Sequence, residues 1–510
     1  MAITPRRQRW RRDRPARGAP NSTRQKTARL AFRPVGAPVR CPAVTSPLQA
    51  VPPTPLLSRR LKHLAQAVFI NRDFALLWWG QAISSVGDYA WDTALVLWVA
   101  SFVAAGQSWA PLAVSGVVLA AALPQIVVGP LAGVFVDRWD KRQTMVTMAA
   151  LQAIVAALLV LPALTISLPL IGRLQLPPFW QLGVIYADVA LLAIFAQFFI
   201  PAQFALIKDI VPQAQQDQAL ETSQAIQGVA IIIGPPVAAA LVFGLGTEWA
   251  LVLNALSFVV VLLAVLAIHA PPSAHSVAPG ETSHFSREFL DGLGYVTSHV
   301  VLRTILIAEI LTWLAFGALQ SLGFFFITGN LHAPARAYGL LGATFGVGAL
   351  VGAVLVTIFG QRIGLARLLW IALVTSGLFV IIMSHLTSLY PALGAAFLFG
   401  VSATAIIVTA GPLSLHGTSR EYVGRVTAVI NPLGRLAALV SVVLAGSLVS
   451  TVLHGFHATV LGVSFGPVNT VFTVLGLLAV AGGIYTRVTL RDIIDKPMPS
   501  AQGALGAAGE

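Results

Sequence analysis

Gly133-Val134-Phe135-Val136-Asp137-Arg138-Trp139-Asp140-Lys141-Arg142 stands between two apolar runs, at 110–136 and 143–168. Five of the last six positions in that stretch are charged, whereas the runs on either side are almost free of charge. Each run exceeds the ~20 residues that an apolar helix needs to cross a bilayer. The stretch therefore reads as a polar turn linking two membrane spans. Working outward, the same alternation recurs. Runs near 76–103, 110–136, 143–168, 180–204, 220–243, 248–270, 302–328, 337–360, 366–388, 390–412, 426–451 and 465–487 give twelve predicted helices. Composition agrees: 510 residues are 56% apolar and only 10% charged, against about 25% charged in soluble domains. Mean hydropathy is +0.81. A soluble enzyme is excluded, and so is a membrane β-barrel, whose alternating segments run only ~10 residues. The predicted fold is an all-α integral membrane protein with twelve transmembrane helices in two six-helix pseudo-repeats.

Net charge is +13, but it is unevenly placed. Residues 1–74 hold 16 of the 32 Lys+Arg against two acids, Asp13 and Asp73. Residues 1–70 are expected to form a disordered basic cytoplasmic tail, rich in Arg, Pro, Ala and Thr. Arg6-Arg7 and Arg11-Arg12 are followed by no apolar segment, so a signal peptide is not expected. The tail suits anionic lipid headgroups; the same stretch also reads as an over-extended translation start. The domains expected after it are a six-helix half at 71–270, a central cytoplasmic loop at 271–301, a second half at 302–490 and a cytoplasmic tail at 491–510. The central loop opens Pro271-Pro272, carries His275 and Glu281, and predicts a short amphipathic surface helix around Arg287–Gly292. With the N-terminus inside, Arg138, Lys141, Arg142, Lys208, Arg303, Arg362, Arg367, Arg425 and Arg487 fall on the cytoplasmic side and only Arg173 and Arg336 outside. A multi-pass protein of the cell (cytoplasmic) membrane is expected, with both termini in the cytoplasm. Cys41 is the only cysteine, which rules out an intramolecular disulfide.

The halves repeat one another. Gln81, Ser84, Ser85, Asp88 and Asp92 fall within about 60° of one direction on the first span at 100° per residue. Glu309, Thr312, Trp313, Phe316 and Gln320 occupy the same stripe in the seventh. Two repeated six-helix halves are the plan of a secondary transporter with its site at the interface between halves.

The charged turn resembles the G-x-x-x-D-R-x-G-R-R signature of the major facilitator superfamily, carried by Gly133, Asp137, Arg138, Lys141 and Arg142, with Asp140 in the place of Gly. Asn71-Arg72-Asp73-Phe74, Gly80 through Asp88, and Phe199-Ile200-Pro201-Ala202 are similar to the macrolide-efflux and enterobactin-exporter branch of drug:proton antiporters. Gly228-x5-Gly234-Pro235 resembles the antiporter motif of drug:proton exchangers. The resemblance covers about residues 70–490. It implies that Asp137 and Arg138 tie the halves together on the cytoplasmic side, with Arg138 meeting Asp209 or Glu421. It also implies that Gly234-Pro235 favours exchange over uniport. On physical grounds, Gly133 would let two helices approach closely, and Pro235 would bend its helix.

Ionised groups at mid-bilayer cost ~2.5–3.5 kcal/mol on insertion scales and usually face a cavity or a partner. Asp88, Asp92, Asp188, Glu309 and Arg435 are the candidates for proton coupling or substrate binding. Asp188 shares a face with Phe195 and Phe199; Glu309 lies within reach of Arg303; Asn431 is one turn before Arg435. Gln81, Ser84, Ser85, Thr312, Trp313, Phe316 and Gln320 are the expected cavity lining. No G-x-x-x-x-G-K-[ST] occurs, so ATP is not the energy source. No cofactor and no metal site is expected, because the ten histidines are scattered. The expected function is not enzymatic: it is secondary active efflux of a lipophilic or amphipathic small molecule (drug, macrolide or siderophore-like) in exchange for protons, by alternating access. An importer, a lipid or metabolite carrier, or a transport-inactive sensor are the alternatives. The expected partners are the substrate, protons and the bilayer, with no nucleic acid and no second subunit.

Overall fold

The structure, a computed structural model, describes residues 70–136, 138–163, 166–168, 172–174, 177–269, 285–416, 418, 422–460 and 463–491. The basic tail, His275, Glu281, Asp137, Arg420 and Glu421 lie outside the described residues. Twelve long helices carry the fold: α1 (Arg72–Trp98), α2 (Ala110–Val127, continued by Gly129–Val136), α3 (Lys141–Leu158), α4 (Pro178–Ile210), α5 (Gln216–Gly244) and α6 (Thr247–Ala267) in one half; α7 (Val300–Phe325), α8 (Ala337–Ile363), α9 (Leu365–His385), α10 (Leu389–His416), α11 (Val423–Ser450) and α12 (Pro467–Thr489) in the other. All except α1 are long and apolar enough to cross a membrane by composition alone. α1 has the length but carries the stripe that includes Asp88 and Asp92. Helix surfaces turned away from the bundle are apolar, as with Leu263 and Leu266 on α6 or Leu477 and Ile484 on α12. Two short hairpins, Ile166–Leu168 with Gly172–Leu174 and Ala458–Val460 with Val463–Phe465, are the only strands among the described residues.

The packing repeats with a period of six helices. In the first half α1 packs on α5 and α6, α3 on α4 and α6, and α2 on α4. In the second, α7 packs on α11 and α12, α9 on α10 and α12, and α8 on α10. The two large contacts between halves, α2 with α11 and α5 with α8, are exchanged by the same shift. The helix Phe285–Ser298 brackets the predicted amphipathic segment and docks on α11 and α7. Its Tyr295 ring stacks on Tyr422 with centroids 4.2 Å apart.

The near face holds the start of α1, the end of α12 and the charged turn at 138–142; the opposite end is the far face. The halves touch on the far face. The Leu112 amide donates to Ser450 Oγ at 3.2 Å between α2 and α11. A Cβ at Gly446 would lie 2.8 Å from Ser115 Cβ and 2.9 Å from the Pro111 carbonyl oxygen, so only glycine permits that crossing. A Cβ at Gly339 of α8 would lie 2.9 Å from Ala239 Cβ and even nearer the Pro235 carbonyl of α5. An apolar cluster with Leu95, Val99, Val242 and Leu251 takes in Phe324 from the second half, with Phe325 and Tyr338 packed on its edge. On the near face each half keeps its own core. Phe74, Met145, Leu206 and Val265 form one; Leu302, Leu369, Ile406 and Val429 form the other. The near-face end of α2 leaves Leu123, Ile126 and Val127 exposed.

Among the described residues, the charged turn makes its contacts within the first half. Asp140 caps α3, its carboxylate accepting from the Gln143 amide at 2.7 Å. This accounts for an acid where the signature has Gly. Lys141 pairs with Asp209 of α4 at 2.7 Å, and Arg142 donates to the carbonyls of Val265 (3.2 Å) and Leu266 (2.7 Å) at the end of α6. Of the two partners open to Arg138, Asp209 is taken by Lys141, which on the first turn of α3 lies beside the last turn of α4, while Arg138 is exposed in the turn before it; Glu421 lies outside the described residues. The close approach expected at Gly133 is also absent, since a Cβ there would meet nothing within 4 Å. Among the described residues, the near-face cores of the two halves share no residue. α5 continues as one helix through Pro235 and Pro236.

Two expectations follow. Gly446→Leu should cost about 1–3 kcal/mol, the range for overpacking. It should also open the far face, read as impermeant maleimide labelling from that side of a cysteine placed at Val442 in a chain whose Cys41 is replaced. Asp140→Ala should lower stability by about 1 kcal/mol and Asp140→Gly by only a few tenths, the usual ranking of N-caps, in paired thermal melts.

Candidate functional site

A cavity of about 350 Å³ lies between the halves under the far-face seal. The first half contributes Tyr89 and Asp92 from α1, Gln125 from α2 and Pro235 from α5. The second contributes Trp313, Phe316 and Gln320 from α7, Tyr338 from α8 and Arg435 from α11. Apart from Thr93, the rest of the wall is apolar, including Val117, Ile231, Leu319 and Leu439. Asp92 and Arg435 face this space from opposite halves and are both exposed to it. Among the described residues neither has a salt-bridge partner. One carboxylate and one guanidinium on an aromatic and aliphatic wall suit a ligand that is mostly apolar and partly charged.

A second cavity, of about 420 Å³, lies within the second half between α7, α10 and α11. Glu309 lines it, and Trp313 and Arg435 line both cavities. Glu309 is 8% exposed and accepts from the Trp313 indole N–H at 2.9 Å. The sequence suggests Arg303 as its partner, yet Arg303 is exposed on the near-face turn of α7 and Trp313 takes the bond one turn further in. Gly434 makes the ring's position possible, since a Cβ there would lie 2.7 Å from Trp313 Cδ1.

The stripe predicted on α1 divides by depth. Asp92 reaches the cavity, while Asp88 is half-buried and lines neither cavity. Ser84 and Ser85 are buried in helix packing; Ser85 Oγ accepts from Gln227 of α5 at 3.2 Å and from Gln81 at 3.5 Å. On α7, Trp313, Phe316 and Gln320 line the cavity, whereas Thr312 is buried and donates to the Ala308 carbonyl at 2.8 Å. Ser84, Ser85, Thr312 and Gln81 therefore stand behind the wall, because the bundle closes over that flank of each stripe. Asp188 is 6% exposed, with Oδ2 unpartnered, and also lines neither cavity. Gly234 seats α5 on α1: a Cβ there would lie 2.9 Å from the Ala90 amide. Gly228 makes no such approach.

Sequence reasoning missed Tyr89, Gln125 and Tyr338. Tyr89 stands three residues before Asp92 and so shares its face. Gln125 is one of only two polar residues in its apolar run, with Ser115, which was a usable signal. Tyr338 is the second residue of α8, and nothing local marks it.

The residues from 77 to 442 match the model of the Major Facilitator Superfamily. The chain is 26% identical over 439 residues to the MFS-type transporter YfiS of Bacillus subtilis (strain 168), covering 83% of this chain and 96% of that one. It is 23% identical over 381 residues to Macrolide efflux protein A of Streptococcus pyogenes, covering 73% and 88%. The fold is similar to the crystal structure of the nucleoside transporter NupG, with a TM-score of 0.64 at 11% identity, covering 82% of this chain and all of that one. These relatives are transporters, not enzymes. Their match, the twelve helices in two repeats and the cavity between halves agree: the chain belongs to the Major Facilitator Superfamily and is a multi-pass membrane transporter.

Proposed function

We propose that the protein exports a lipophilic or amphipathic small molecule across the cell membrane in exchange for protons, as a single chain with both termini in the cytoplasm. The observation that carries this reading is the placement of Asp92 and Arg435 on opposite halves of one largely apolar cavity, without salt-bridge partners among the described residues. A charge facing such a cavity is satisfied by an opposite charge, a ligand or, for a carboxylate, a proton. Asp92 can therefore hold a proton or a cationic substrate, and Arg435 supplies the counter-charge when the halves rock together. Alternating exposure of such a group to the two faces is what exchange requires.

Side assignment follows charge. Lys141, Arg142, Lys208, Arg303, Arg362, Arg367, Arg425 and Arg487 cluster at the near face, and Arg336 lies at the far one. With the near face cytoplasmic, the cavity loads from the cytoplasm, as export needs. The relative named for macrolide efflux supports a bulky amphipathic cargo such as a macrolide or another drug. Asp88, half-buried, and Asp188, buried, both lie off the cavity and fit a supporting role better than a carrying one. In the charged motif, Asp137 with Arg138 would engage the second half only when the near face closes.

Everted vesicles energised to an acid interior test this. A macrolide or a lipophilic cationic dye should trigger proton release from the wild type. Asp92→Asn should reduce that release by about tenfold or more, the effect of ~1.4 kcal/mol, while Asp88→Asn keeps most of it. Substrate movement without any proton flux, or full flux in Asp92→Asn, would overturn the assignment.

A further inference from the structure

The second cavity has its own chemistry. Its hydroxyls are spent as donors on nearby backbone carbonyls. Ser414 Oγ donates to the Ala410 carbonyl at 2.8 Å, Thr418 to Ser414 at 2.7 Å and Thr427 to Val423 at 3.0 Å. Each hydroxyl keeps its lone pairs, so these walls present acceptors. Glu309, which accepts from Trp313 through one oxygen only, adds its carboxyl oxygens to them. Among the described side chains of this lining, only Asn431 and Arg435 have donors left to offer, and Arg435 stands at the edge shared with the central cavity. An acceptor-lined chamber selects a ligand that donates, and a carboxylate within it favours a positive one. Trp313 is the partition: it lines both spaces, and a single bond to Glu309 at 2.9 Å fixes its indole N–H.

We infer that the chamber between α7, α10 and α11 is a substrate subsite. It receives the protonated amine and hydroxyls of a bipartite amphiphile, a hydroxylated amino-sugar arm for instance, whose apolar body occupies the central cavity. Binding transfers the Glu309 carboxylate from the Trp313 indole to the ligand's ammonium, and the freed ring swings to join the two spaces. Together the cavities offer about 350 and 420 Å³, which suits a cargo larger than the central cavity alone. The inference rests on the export reading for its cargo, but it does not depend on protons being the counter-ion.

Gly411 supplies the test. It lines the chamber on α10, and a Cβ there would meet nothing within 4 Å. Gly411→Leu therefore fills the space without forcing helices apart. Binding is measured on the full-length chain in lipid nanodiscs with two probes, a macrolide carrying an amino sugar and tetraphenylphosphonium, a cation without hydroxyls. Gly411→Leu should weaken the macrolide about tenfold, equivalent to ~1.4 kcal/mol, and leave tetraphenylphosphonium within about twofold. The double variant Ser414→Ala, Thr427→Val, which removes acceptors without adding bulk, should shift the same probe in the same direction. Macrolide binding unchanged in both variants, equal weakening of both probes, or no macrolide binding to the wild type overturns the subsite. Macrolide binding that is lost on filling the chamber, with no proton release in the vesicle assay, would uphold the subsite and fail the exchange reading.

Discussion

Two glycine crossings on the far face, Gly446 against α2 and Gly339 against α5, set the state in which everything else is seen. Between apolar helices in a bilayer there is little hydrophobic driving force, so contact depends on how closely backbones approach. Small residues at both crossings let the halves meet there, and the Phe324 cluster fills the space between them. On the near face the cores remain separate, and the cavity is left with its mouth on that side. The crossings are related to one another by the six-helix repeat. Both crossings therefore bear on the same interface between the halves.

The charged groups follow from this division. The ion pair and hydrogen bonds made by Lys141 and Arg142 stay within the first half. An exposed pair of this sort is worth only ~0.2–1 kcal/mol, enough to orient helix ends but not to hold a state. The consequential charges are Asp92 and Arg435, which face shared space from different bodies. Had they paired directly, the bond would have fixed one separation of the halves. Left apart, they can be bridged or neutralised by what enters the cavity, and that difference between states is what binding can act upon.

Much of this was legible in the sequence, and the limits are physical. The length of the apolar runs gives twelve helices because a bilayer admits few alternatives. The shared stripe of α1 and α7 locates the interface between halves, and Asp92, Trp313, Phe316 and Gln320 lie where that stripe points. Periodicity gives direction but not depth. Ser84, Ser85 and Thr312 share the stripe and are nonetheless covered by neighbouring helices. Partner choice was less legible still. Lys141 rather than Arg138 meets Asp209, and Trp313 rather than Arg303 meets Glu309, because a helix's first turn and its i, i+4 neighbours are fixed in place where a turn residue or a surface side chain is not. Tyr338 and the Gly446 crossing are products of the assembled halves, and no local pattern encodes them.

The chamber in the second half has a further consequence for energetics. Apart from its link through Trp313 and Arg435, its walls belong to α7, α10 and α11, and these travel together when the halves rock. A ligand arm held there keeps its contacts in both states, and equal affinity for two states shifts neither, however tight the binding. Such an arm retains cargo and selects it without driving the transition. The drive must come from groups whose distance to the cargo changes, which are Asp92, Gln125 and Tyr89 on the opposite half. Retention on one body and coupling on the other would let different cargoes share one coupling step, since the residues proposed to recognise the arm are not those proposed to carry the charge.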